Sequence, residues 1–155
     1  MNGMPKPGEN HARLQRLAGK WVGEEKTYPS PWGPGGTAVG RMEARIDVDG
    51  FFLIQDQTTE KAGKVSFRGH GVMGWDAAKN DYAWFWVDSM GQIPAAPSRG
   101  QWDGDRLVFE SHHGGQHGRY TYEVVGPEGL RFKLEGSQDG KTWKTFMEAT
   151  YRRES

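Results

Sequence analysis

Two alternating runs joined by a tight polar turn, 64–75 and 82–88, constrain this chain more than any other stretch. In the first, Val65, Phe67, Met73 and Trp75 stand at every-other positions; in the second, Tyr82, Trp84 and Trp86 alternate with Ala83, Phe85 and Val87. A period of two sorts side chains onto opposite faces only in an extended strand. Both faces of the second arm are apolar, so the expectation is a central strand covered on both sides, its inner face lined by tryptophan. The run stops on Asp88 and Ser89. A carboxylate at a strand mouth beside aromatic walls suits a small-molecule cavity.

Other short runs repeat this pattern between Gly, Pro, Asn and Asp. Strands are predicted over 20–28, 37–48, 51–60, 64–75, 82–88, 98–102, 106–111, 119–125, 130–136 and 142–152. Asp49-Gly50 is read as a primed hairpin turn, and the His- and Gly-rich stretch 112–118 as a loop. One short helix is expected over 10–18: Asn10 caps it, Leu14, Leu17 and Ala18 share a face, and Gly19 ends it. Residues 1–9 are expected to be a disordered tail, leaving 10–155 as one domain. About ten strands without helical crossovers argue an antiparallel up-and-down sheet, all-β, and closure into a barrel removes its unpaired edges. A β-sandwich is the competing layout.

Composition narrows the function classes. Lys plus Arg and Asp plus Glu are 20 each in 155 residues, so no net field recruits nucleic acid or an anionic membrane. With no cysteine, disulfide frameworks, thiolate zinc sites and cysteine nucleophiles are excluded. The polar N-terminus, carrying Pro5 and Pro7, is read as neither signal nor anchor, and the expectation is a cytoplasmic protein.

Leu17-Ala-Gly-Lys-Trp-Val-Gly-Glu, following the short helix, resembles the Gly-x-Trp-x-Gly opening of calycin-type barrels such as lipocalins and nitrobindins. Gly-Phe-Phe-Leu from Gly50, Gly-Trp-Asp from Gly74, Trp-Val-Asp-Ser-Met from Trp86 and Ala-Thr-Tyr-Arg-Arg from Ala149 follow in order. Together, over about 14–153, they resemble the bacterial "domain of unknown function 1579" family, viewed as calycin-like barrels with no established activity. In lipocalin-type barrels the opening tryptophan closes one end and a last-strand arginine stacks on it. The resemblance gives these parts to Trp21 and to Arg152 or Arg153, with the opening at the other end. Residues 19–30 are also similar to the opening of nitrobindin haem barrels, whose axial histidine lies late in the chain; here no histidine follows His117, and no cofactor is expected.

Trp84, Trp86 and Tyr120 are the candidate ligand walls, with Asp88 and Arg99 as polar handles at the mouth. Gly69 and Gly71, on the face of Phe67 and Met73, leave room for the indoles. Glu25, Asp56, Asp88 and Glu110 are candidate inward carboxylates, and an inward acid or His70 would serve an enzyme, although the alternation points His70 outward. His112, His113 and His117 with Glu110 have donors for zinc or nickel, but the glycines among them favour a His-rich loop, so no metal site is expected. Neither a Gly-x-Ser-x-Gly elbow, a His-Glu-x-x-His helix nor a phosphate loop is present. The expectation is a non-catalytic barrel for a small, partly apolar ligand, aromatic or lipid-like. An enzyme, or a dimerisation module with a filled interior, are the alternatives. The loop 29–36, with Trp32, has the composition of a lid.

Overall fold

The computed structural model describes residues 3–31 and 33–154, so the expected lid residue Trp32 lies outside the described residues. Ten strands run in chain order: β1 (Gly19–Thr27), β2 (Gly36–Asp47), β3 (Phe52–Lys61), β4 (Lys64–Asp76), β5 (Asp81–Asp88), β6 (Ser98–Asp103), β7 (Arg106–His113), β8 (Gln116–Val125), β9 (Gly129–Ser137) and β10 (Lys144–Arg153). Each pairs antiparallel with the next, and β1 pairs with both β2 and β10, closing the sheet into a barrel. The closed barrel, and not a sandwich, is the layout.

The alternation decides what points inward. Met42, Ala44, Leu53, Met73, Tyr82, Trp84, Leu107, Phe109, Tyr122, Leu130, Ala149 and Tyr151 form one buried cluster inside the ring. The N-terminal element covers one end as α1 (Glu9–Ala12) running into a 3₁₀ turn, Arg13–Leu17. The tighter winding still carries Leu14 and Leu17 onto the barrel end, where both are fully buried. Removing either side chain to Ala is expected to cost about 2–5 kcal/mol.

Three local readings change. The hairpin turn falls one residue early: Gly50 N–H donates to the Asp47 carbonyl, and Val48 and Asp49 take φ of 52° and 57°. The His-rich stretch is strand rather than loop. Gly114-Gly115, with φ of 58° and 81°, make the turn, and His112 and His117 stand directly opposite each other in the ladder. Finally, the outer face of β5 is bare: Phe85 and Val87 are 49% and 44% exposed. A single-walled barrel has no second layer to cover it, so the tryptophan face alone is buried.

Candidate functional site

The helix-covered end is sealed from the side chains upward. Trp21 donates from Nε1 to the Leu17 carbonyl, and the Arg153 guanidinium lies 4.3 Å from the centre of its ring. Arg153 also donates to the carbonyls of Ala18 and Pro127 at 2.9 and 2.8 Å, fixing a flat cation between two backbone segments. Arg152 pairs with Val22 in the ladder and points out to solvent.

Away from this floor, the inner face changes from buried to partly exposed on five strands. On β3 the series is Leu53, Gln55, then Gln57 and Thr59; on β5, Tyr82, Trp84, then Trp86. On β7 it is Leu107, Phe109, then Ser111; on β8, read backward, Tyr122, then Tyr120; on β10, read backward, Tyr151, Ala149, then Met147. On these five strands, then, burial falls toward the end away from Trp21 and Arg153. Trp84 is the last buried side chain of its series. Its ring is 5.6 Å from Trp86, 5.1 Å from Phe109, 5.5 Å from Tyr120 and 5.8 Å from Tyr122. Trp86 and Tyr120 stand above it as side walls.

Gly69 and Gly71 make the room the indoles use. A Cβ at Gly69 would lie 2.1 Å from Trp86 Cζ2, and one at Gly71 would lie 2.5 Å from Gln55 Oε1 and 2.8 Å from Trp84 Nε1. Asp88 sits on the rim, where Oδ2 accepts from Trp86 Nε1 at 2.9 Å and Oδ1 accepts from the Met90 N–H. Gln55 Oε1 and Trp84 Nε1 are buried and have no partner in the protein.

Facing the aromatic wall is a polar strip centred on Glu25, which is 4% exposed. Oε2 accepts from Gln57 Nε2 and from the Tyr151 hydroxyl, both at 2.6 Å, and Oε1 accepts from Thr59 Oγ1 at 2.6 Å. These lengths are those of charge-assisted bonds. Below it, Gln55 Nε2 donates to the Tyr122 hydroxyl at 3.0 Å. Burial, and then the neighbouring Glu25 charge, pushes the Tyr151 phenol well above its ordinary value; burial does the same to Tyr122. Both phenols are thereby held in the protonated form; Tyr151 donates to Glu25, whereas Tyr122 accepts from Gln55. An acid and a hydroxyl do meet inside the barrel. The polar strip lies partly outside the sequence-derived candidates: Gln55, Gln57 and Thr59 follow the core residue Leu53 at every second position, and that spacing was its signal.

Other candidates lie elsewhere. Arg99 is on the outer wall near the sealed end, not at the mouth, bound to Asp76 and Asp81 at 2.8 and 2.9 Å. Strand alternation places it there: Gly100 and Trp102 pair with the inward Phe109 and Leu107, so Arg99 faces out opposite Glu110. His70 and Asp56 pair across the outer face at 2.7 Å, and Glu110 is exposed. His112 and His117 approach to 3.1 Å between Nδ1 atoms, yet no group of three or more His, Cys, Asp or Glu among the described residues is placed to hold a metal ion. A shallow depression of about 330 Å³ lies outside the wall between Asp56, His70, Val87 and Ser89. No helix among the described residues is long and apolar enough to cross a membrane.

A closed ten-strand ring with one end plugged and sealed by Arg153 defines this architecture, and the family model described as "Protein of unknown function (DUF1579)" matches residues 6–153. The chain belongs to the DUF1579 family. No curated protein matches this DUF1579 member. Among solved structures it is similar to Rv2717c from M. tuberculosis, with TM-score 0.69 and 14% identity over 96% of this chain and 99% of that one. It is also similar to the S-type phycobiliprotein lyase CPES from Guillardia theta, with TM-score 0.67 and 12% identity over 96% and 94%. A DUF3598 protein of unknown function from Nostoc punctiforme gives TM-score 0.61 and 11% identity, over 99% of this chain and 54% of that one. At these identities the likeness is one of fold alone.

Proposed function

We propose that this DUF1579 member is a binding protein that takes a small, partly apolar ligand into the open half of its barrel. Trp86 and Tyr120 form the walls, Trp84 the floor, and Asp88 the rim contact. The observation that supports the reading is the gradient of burial along the inner face of five strands, which leaves Trp86 and Tyr120 partly exposed while Trp84 and Tyr122 on the same strands are buried. Concave, aromatic-lined sites with few polar groups are where small ligands gain most from leaving water. One similar structure is a phycobiliprotein lyase, and at 12% identity it lends this chain a fold and no reaction, so the reading kept is binding.

The test uses the neutral dye N-phenyl-1-naphthylamine, whose emission rises on leaving water. Saturable binding is expected, weakened about tenfold or more by Trp86→Ala. A folded Trp86→Ala variant that binds the dye as tightly as the parent overturns the proposal. Native mass spectrometry of freshly purified protein would identify any ligand carried from the cell.

A further inference from the structure

The inner face is unbalanced in charge and in hydrogen-bonding capacity. Glu25 and Asp88 both sit on it, and neither has a Lys, Arg or His within ion-pair distance among the described residues, whereas the acids of the outer wall at Asp47, Asp56, Asp76, Asp81, Glu123 and Glu135 all do. The three donors on Glu25 are neutral. A carboxylate offers about four acceptor positions, so Glu25 keeps one free, on the oxygen that accepts only from Thr59. Beneath it, the fully buried Gln55 presents a second free acceptor, Oε1, beside the free donor Trp84 Nε1; the other unpartnered buried donor among the described residues, Trp102 Nε1, lies at the floor under Arg13 and Arg16. Arg99, the cation nearest in sequence to the rim loop, is held outside by two acids, and Arg153 is locked in the floor.

We infer that the ligand is an organic cation, an amine with a flat or apolar body, whose ammonium lies against Glu25 while its body lies on Trp86 and Tyr120. This deepens the binding proposal and rests on it. Three features converge on that class. An uncompensated carboxylate shielded from water attracts an opposite charge more strongly than one in solvent. Around Glu25 and Gln55, away from the floor, two free acceptors stand against the one free donor Trp84 Nε1, so a molecule that only donates satisfies this part of the barrel where an anion leaves it unsatisfied. Finally, the aromatic rings of Trp86 and Tyr120, on other strands of the same inner face, attract a cation and its apolar body together.

Three probes with one indole body separate charge from shape: tryptamine, 3-methylindole and indole-3-acetate, each used to displace N-phenyl-1-naphthylamine from the parent protein. Tryptamine is expected to displace the dye at about one tenth the concentration of 3-methylindole or less, with indole-3-acetate weakest. Glu25→Gln is expected to bring tryptamine and 3-methylindole within about threefold of each other. Asp88→Asn, on the exposed rim, provides a second variant should Glu25→Gln fail to fold, and is expected to reduce the tryptamine preference in the same direction. Equal displacement by tryptamine and 3-methylindole, stronger displacement by indole-3-acetate, or displacement by none of the three while the dye stays bound, overturns the inference and leaves the binding proposal standing. Dye binding that is absent or insensitive to Trp86→Ala overturns both.

Discussion

The Tyr151 hydroxyl donates a 2.6 Å hydrogen bond to Glu25 across 126 residues of sequence, joining the last strand to the first through the inside of the barrel. Tyr151→Phe removes this donor and keeps the ring, so it isolates the bond from the packing. Losing a bond to a charged group is expected to lower stability by about 1.5–3 kcal/mol. The midpoint of urea unfolding reads the change, and an unchanged midpoint would show that the pair carries no weight in closure.

The two C-terminal arginines separate cleanly. Arg153→Ala opens the floor, losing the face of Trp21 and two carbonyl contacts, and is expected to cost about 2–3 kcal/mol. Arg153→Lys does not restore it, because a point charge cannot span both carbonyls and the ring. Arg152→Ala, on the outer face, is expected to stay within about 0.5 kcal/mol of the parent. Thermal unfolding of the three variants side by side gives the order.

Val48 holds a left-handed backbone, φ 52°, at an exposed turn. For a β-branched residue this conformation costs of the order of 1–2 kcal/mol, and asparagine tolerates it better. Val48→Asn is therefore expected to stabilise the protein by about 0.5–1 kcal/mol, read as a higher urea midpoint with an unchanged slope.

Glu135 is 9% exposed and takes two bonds from Arg119, which hold its carboxyl below the ordinary glutamate range. The unfolded chain binds this proton first as pH falls. Its contribution is thus whole above about pH 4.3 and is lost as pH drops from there through the lower folded value. Glu135→Gln is expected to cost about 1–2 kcal/mol at pH 7 and to flatten the acid limb of the stability profile. Parallel acid limbs in parent and variant would contradict this.

The fold was legible because its signals are local. Alternation over 64–88 and turn-formers between runs are read within a few residues, and closure follows from having no edge left to protect. Trp86 and Tyr120 were visible for the same reason, as members of alternating aromatic runs. The Glu25 strip was only half visible: the strand period places Glu25 with Trp21, but no local pattern says that Tyr151 arrives beside it. Arg99 shows where parity is fragile. On the six-residue β6 only Trp102 is a large apolar residue, and Gly100 shares its inward face, paired with the inward Phe109. The His hairpin was missed because strand preference belongs to β-branched and aromatic residues, while pairing with a neighbour fixes a strand whatever its composition.

With Arg153 anchored to two backbone carbonyls over Trp21, the vessel is blind-ended. If the barrel binds as proposed, arrival and departure share the opposite end, and residence time is governed around Trp86 and Asp88. A ligand longer than that half of the barrel would leave its tail protruding there, where a tether or reporter could be attached without disturbing the part held inside.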